Sequence, residues 1–356
     1  MSIQRLAGLQ EKLESLGVEA FLVTSLENVR YLTGFTGTAG IVLVTSQEAF
    51  FLTDSRYTTQ AREQVEGCEV LEHRKILERA LELGKDKGWG KVGFEAQSLI
   101  FSQYQKLQKG LSFPEWVPCE KAVEELRIVK DMEEIRRIQG AVAIVIEALE
   151  AIKPLLRPGA IEREVSVEFE YRLKQAGSEK IPFDLIVASG TRSALPHGVA
   201  SSKEIAWGDL VTIDCGAVFQ GYHSDLTRTF VVGEYDSRQE DIYRIVLEAQ
   251  QIGIEAIRPG KRTHEVDAAV RGVIEDAGYG DFFGHGTGHG IGLAMHENPY
   301  LSKDEGPPLE KGMVVTVEPG IYLPDWGGVR IEDMVCVTSN GGEVLTASLP
   351  RILEVL

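Results

Sequence analysis

Apolar residues recur at two spacings along this chain. Near the amino terminus Leu6, Leu9, Leu13 and Leu16 fall three or four apart with charges between them, the stripe of a surface helix. Short β-rich runs follow at VEAFLVT (18–24), GIVLVTS (40–46), AFFLTD (49–54), CEVLE (68–72), KVGFE (91–95) and EWVPC (115–119). Among them SRYTTQAREQV, residues 75–87 and SLIFSQYQKLQ carry helical patterning. Strands alternating with helices predict an α/β domain with an at least partly parallel sheet. YLTGFTGTAG (31–40) lacks both the Lys-Ser/Thr of a phosphate loop and GxGxxG spacing, so it reads as a surface loop. No catalytic constellation lies in this half.

The pattern changes at CEKAVEELRIVKDMEEIRRI, which is charged and helical, and predicts domains at 1–124 and 125–356. From Asp131 a long helix runs to about Leu156 and stops at Arg157-Pro158-Gly159. An internal repeat then emerges. EALEAIKPLLRPGAIEREV (147–165) matches EAQQIGIEAIRPGKRTHEV (248–266) at a constant offset, and Ala176-Gly177 and Ala277-Gly278 continue it. Each unit reads helix, turn, helix, stop, strands. Two such units predict an α+β domain of pseudo-two-fold symmetry, with helices packed on a curved antiparallel sheet.

The strands of this second domain carry paired acids. VTIDCGAV and YHSDLTRTFVV form a hairpin; a turn about Phe219-Gln220, closed by Gly221, sets Asp214 opposite Asp225. VVTVEPGIYL and GGVRIEDMVCVT flank a turn centred on Asp325, which sets Glu318 opposite Glu332, with a bulge allowed at Pro319. Like charges directly opposed destabilise a sheet unless something positive lies between them. Four carboxylates with His289 of FGHGTGHGIG make an oxygen-rich, thiol-free set suited to Mn, Co, Fe or Zn held as a bridged pair. Any one acid alone would read as a solvated strand residue. His285 and His289 are four apart, but the Gly-Thr-Gly between them argues against a helical HExxH site. His197, in RSALPHG, and His296, in HENP, lie in segments of the kind that present site residues. Arg330 and Thr227 share strand faces with Glu332 and Asp225 and are placed to support those carboxylates; His223 reads as a bystander.

Composition narrows the rest. A net charge of −17 excludes nucleic acid and anionic membrane as expected partners. No segment has the apolar core of a signal peptide or the length of a membrane span, and the four scattered cysteines suggest neither disulfides nor a zinc knuckle. A cytoplasmic protein is expected.

At DCGA, SDLTRTF, HGTGHGIG, HENP, VEPGIY and GVRIED the chain resembles the Xaa-Pro peptidases of the "pita-bread" metallopeptidase family, prolidase and aminopeptidase P. The resemblance covers essentially the whole chain, including a creatinase-like amino-terminal domain with YLTGFTG and FLTDSRY. It implies two divalent ions per subunit, Mn or Co ahead of Zn or Fe, bridged by Asp225 and Glu332. Asp214 would complete one site, and His289 with Glu318 the other. It implies hydrolysis of a Xaa-Pro bond by a metal-bridging hydroxide, Glu318 moving the proton and His296 steadying the oxyanion. His197, His285 and His296 would handle substrate, and Arg330 would stand behind the ligands. A dipeptidase acting as a homodimer is expected. The alternatives are an aminopeptidase P acting on longer peptides, an inert binding protein on the same scaffold, and a metal-free creatinase-like amidinohydrolase, which the full ligand set disfavours.

Overall fold

The computed structural model describes residues 2–110 and 114–356. The chain divides between Arg127 and Ile128 into two compact units.

In the first unit the leucine stripe forms α1 (Ser2–Leu16), burying Leu6, Leu9 and Leu13. The β-rich runs become β1 (Ala20–Val23), β2 (Ile41–Thr45), β3 (Ala49–Thr53), β4 (Glu69–Glu72), β5 (Lys91–Glu95) and β6 (Glu115–Cys119). They form one sheet in the order β4-β3-β2-β1-β5-β6. The β3/β4, β1/β5 and β5/β6 pairs are parallel, and β2 is antiparallel to both its neighbours. The hydrophobic pattern does not predict α2 (Leu26–Thr33), capped by Ser25 and ended by Gly34 in the left-handed region. This helix takes in Tyr31, Leu32 and Thr33, all buried, so only the remainder of the predicted surface loop is a loop. The remaining helices are α3 (Thr58–Gln64), α4 (Ile76–Lys87), α5 (Phe101–Gly110) and α6 (Glu124–Arg127). The predicted boundary at 124/125 falls three residues before this division, inside α6. Buried Arg127 donates to Asn28 Oδ1 and Asn28 donates to Glu124, each at 2.7 Å, and these bonds keep α6 in this unit.

The second unit repeats itself. Its first half packs α7 (Met132–Ile152) and α8 (Glu162–Gln175) with β7 (Ile186–Ser189), β8 (Leu210–Cys215) and the hairpin strands β9 (Val218–Phe219), β10 (Tyr222–His223) and β11 (Leu226–Val231). The second half has α9 (Ser237–Ala256) and α10 (Thr263–Asp276), then β12 (Gly288–Gly290), β13 (Glu297–Leu301), β14 (Val314–Val317), β15 (Gly320–Leu323), β16 (Gly327–Arg330), β17 (Asp333–Thr338) and β18 (Gly341–Val344). β7-β8-β11 and β12-β14-β17 are equivalent triplets, and every ladder between named strands here is antiparallel. Asp131 caps α7 through a capping box with Glu134. α7 gives way to a 3₁₀ turn at Lys153–Leu155, where Pro154 has no N–H for the ladder. Among the described residues no helix is long and apolar enough to cross a membrane.

Candidate metal centre

The first acid hairpin turns one residue later than predicted. Gln220 and Gly221 form its two-residue loop with φ of 48° and 83°, the positive pair that a tight hairpin turn requires. Asp214 therefore faces Thr227, and Asp225 lies diagonally across from Asp214 just before β11. The shift changes the opposite number by two residues, so both acids keep the same face; a shift of one would have separated them. The second hairpin has the predicted register. Val317 faces Asp333 and Gly320 faces Arg330, with Glu318 and Glu332 between those ladders. Pairing breaks at Pro319, and the freed Glu332 N–H donates to Thr227 O at 3.1 Å, joining the two hairpins.

Asp225, His289 and Glu332 are all buried, and each offers a ligand atom within 4.8 Å of the others. His289 Nε2 lies 3.5 Å from Asp225 Oδ2 and 3.6 Å from Glu318 Oε1. Its Nδ1 is 3.0 Å from Gly290 O, which can only accept, so Nδ1 donates there and Nε2 is turned to the carboxylates. Three buried carboxylate oxygens, Asp214 Oδ1, Asp225 Oδ1 and Glu332 Oε1, have no hydrogen-bond donor among the described residues. Burial, and then the neighbouring acids, push the Asp225 and Glu332 carboxyls well above their ordinary range, and burial pushes Glu318 up. Acceptors facing acceptors in a buried site, with the charged forms penalised, fit a divalent cation.

Support for the acids comes from around them. Arg330 Nη2 donates to Asp214 Oδ2 at 2.6 Å, so the arginine holds Asp214 rather than Glu332, its neighbour on the strand face. Thr227 donates to Glu332 Oε2 at 2.8 Å rather than to Asp225, at the point where the two hairpins join and Glu332 N donates to Thr227 O. Thr316 donates to Glu318 and accepts from His289 N. Tyr322, which the sequence reading missed, accepts from Arg330 Nη1 and meets His285 Nε2, both at 2.9 Å. Counting by twos from Glu318 along β15 would have found it on this face.

A cavity of about 790 Å³ opens over the acids, lined by Asp214, His289 and Glu318 and by His197, His285 and His296. The last three are not equivalent. His285 Nδ1 lies 2.8 Å from Gly286 O and its Nε2 takes the Tyr322 hydroxyl, so both nitrogens are engaged. Burial lowers its pKa to about 4, and it is neutral. The His296 ring lies 4.2 Å from that of His289, tilted by 49°, and burial lowers its pKa. His197 and His296 are exposed to the cavity. His223 is buried, with Nδ1 3.1 Å from Gly292 O, away from the cavity lining.

The pattern of Metallopeptidase family M24 matches residues 136–339, and that of the Creatinase/Prolidase N-terminal domain matches 5–129. The Xaa-Pro dipeptidase of Pyrococcus horikoshii is 40% identical over 94% of this chain and 95% of its own. The solved structure of the Xaa-Pro dipeptidase from Bacillus anthracis superposes with a TM-score of 0.97 at 44% identity over the whole of both chains. The X-Pro aminopeptidase of Thermotoga maritima gives 0.90 at 36%, covering 97% of this chain and 100% of its own.

Proposed function

Because the chain belongs to metallopeptidase family M24, we propose that it is a Xaa-Pro dipeptidase using two divalent ions, manganese or cobalt first among them. Asp214, Asp225, His289, Glu318 and Glu332 would hold the ions. The observation that carries this reading is the set of carboxylate oxygens, donorless among the described residues, around Nε2 of His289. Bound there, two cations supply the charge that acidifies water and polarises the carbonyl before proline.

The chain's own groups do the rest. Glu318 reaches the cavity wall beside His289 Nε2, so it is placed to carry a proton from nucleophile to leaving nitrogen. A Xaa-Pro bond has no N–H, so no acceptor for one is needed. His296, neutral at its lowered pKa, keeps a ring N–H to donate to the carbonyl oxygen as charge develops there. His197 remains to meet the proline carboxylate. His285, with both nitrogens engaged, would instead supply a neutral ring to the wall of the proline subsite.

The test is hydrolysis of an Ala-Pro dipeptide beside an Ala-Pro-Ala tripeptide, after chelation and restoration with Mn, Co or Zn. Metal-dependent cleavage confined to the dipeptide is expected. Cleavage of both would favour the aminopeptidase reading, which the likeness to the Thermotoga enzyme supports. Cleavage of neither would leave an inert binding protein.

A further inference from the structure

Each of the three cavity histidines stands on a loop, and each loop is held by a buried carboxylate that does not itself line the cavity. Glu162, at the start of α8 and 0% exposed, holds the His197 loop at both ends. It accepts from Ser189 N and Oγ, both at 2.8 Å, where the loop leaves β7. It accepts again from Ser201 N at 3.0 Å and Oγ at 2.7 Å, where the loop returns. Between them Arg192 pairs with Glu162 and donates to Val199 O at 2.7 Å.

The device recurs. On α10, Asp267 accepts from Thr287 N and Oγ1 and pairs with Arg271, whose guanidinium donates to Phe283 O and His285 O. Glu297, next to His296, accepts from Ala294 N at 2.8 Å and pairs with buried Lys130 at 3.2 Å. Ion pairs in such places are weak sources of stability, because desolvation offsets most of the attraction. They are strong sources of position, since moving the loop breaks several charge-assisted bonds together.

We propose that Glu162 is a positioning residue for substrate, setting where His197 meets the carboxylate after the scissile bond. This rests on the reading of His197 given above. The imidazole tip is exposed, so its placement depends on the loop beneath it. Ser193 and Pro196 tie the loop's middle to Gly328 N and Arg330, and its two ends are joined through Glu162 and Arg192, with Lys203 Nζ also donating to Ser189 Oγ at 2.9 Å and Val199 bridging to Ile186. An interaction made equally in ground and transition states is lost as a rise in KM with kcat retained.

The experiment measures kcat, KM, bound metal and melting temperature for Ala-Pro on the full metal-restored chain. The variants are Glu162→Gln, the milder Ser201→Ala, His197→Ala and the Glu162→Gln/His197→Ala pair. Glu162→Gln should raise KM about 10-fold with kcat and metal content held, the size usual for a supporting partner. In the His197→Ala background it should add nothing, because both changes remove one interaction. Effects that multiply in the double variant, or a fall in kcat with KM unmoved, would overturn the proposal. If Glu162→Gln does not fold, Ser201→Ala and its pair with His197→Ala give the same reading. A raised KM in His197→Ala with none in Glu162→Gln or Ser201→Ala overturns the proposal alone. Wild-type KM in His197→Ala overturns it together with the role of His197.

Discussion

Among the cavity histidines, hydrogen bonding decides which ring can meet substrate. His296→Ala should lower kcat about 100-fold, the usual cost of losing one donor to a developing oxyanion. Bound metal, read by elemental analysis, should be unchanged, and loss of metal instead would make His296 a ligand. Tyr322→Phe removes a hydroxyl buried between Arg330 and His285, leaving His285 Nε2 without that partner and Arg330 Nη1 with the longer bond to Pro196 O. It should cost about 1–3 kcal/mol in denaturant unfolding, and an unchanged midpoint would mean that water replaces the hydroxyl. The acids and histidines were legible in the sequence because their chemistry is carried by residue type. Tyr322 was not, because a tyrosine in a β-rich run reads first as packing. Gly320 gives the clue only in three dimensions: a Cβ there would sit 2.4 Å from the Tyr322 hydroxyl, so the glycine leaves room for that ring.

Elements show why position was harder to read than identity. Alternation fixes which face a strand residue occupies, and that sufficed to gather Asp214 and Asp225 on one face although the turn was misplaced. Which residues touch depends on the turn, and the hydrophobic pattern on either side of Gln220-Gly221 is equally satisfied by either centre. Thr227 shares the strand face of Asp225 whichever turn is used, but its hydroxyl goes across to Glu332 where the two hairpins join, a contact no single hairpin predicts. The glycines around His289 are a similar case. They suggest a tight turn, yet Gly288 and Gly290 belong to β12, a strand between β13 and β14. A Cβ on Gly288 would lie 2.0 Å from Thr316 O. Gly288→Ala should push β12 off β14, costing about 1–3 kcal/mol of strain. Because His289 moves with the strand, metal affinity in calorimetric titration should fall by more than global stability does. Equal losses would mean that the strand shifts without turning the imidazole.

At the scale of the whole molecule, the internal repeat was legible because two helices and their stops keep one offset, while the strands that follow drift as loops insert. Its consequence is electrostatic: each half brings two acids to the centre, and the fold buries them together. Their behaviour without metal has a definite sign. Asp225 and Glu332 have ordinary values of 3.8 and 4.5 and are raised in the folded chain, chiefly by burial. A carboxyl raised by folding favours the folded state while protonated, and that contribution is lost as pH rises through the folded value. Chelated protein should therefore lose stability from these groups as pH climbs from the ordinary carboxylate range toward neutrality. Metal reverses the sign, since it binds only the ionised form and stabilises by mass action. Affinity should weaken on acidification through the same interval, with protons released on binding. Melting temperatures with and without chelator, measured across that interval, should diverge as pH rises. Asp225→Asn serves as control for the chain's other carboxylates, and its two curves should stay together. Parallel curves for the wild-type chain would mean that these acids do not share a cation.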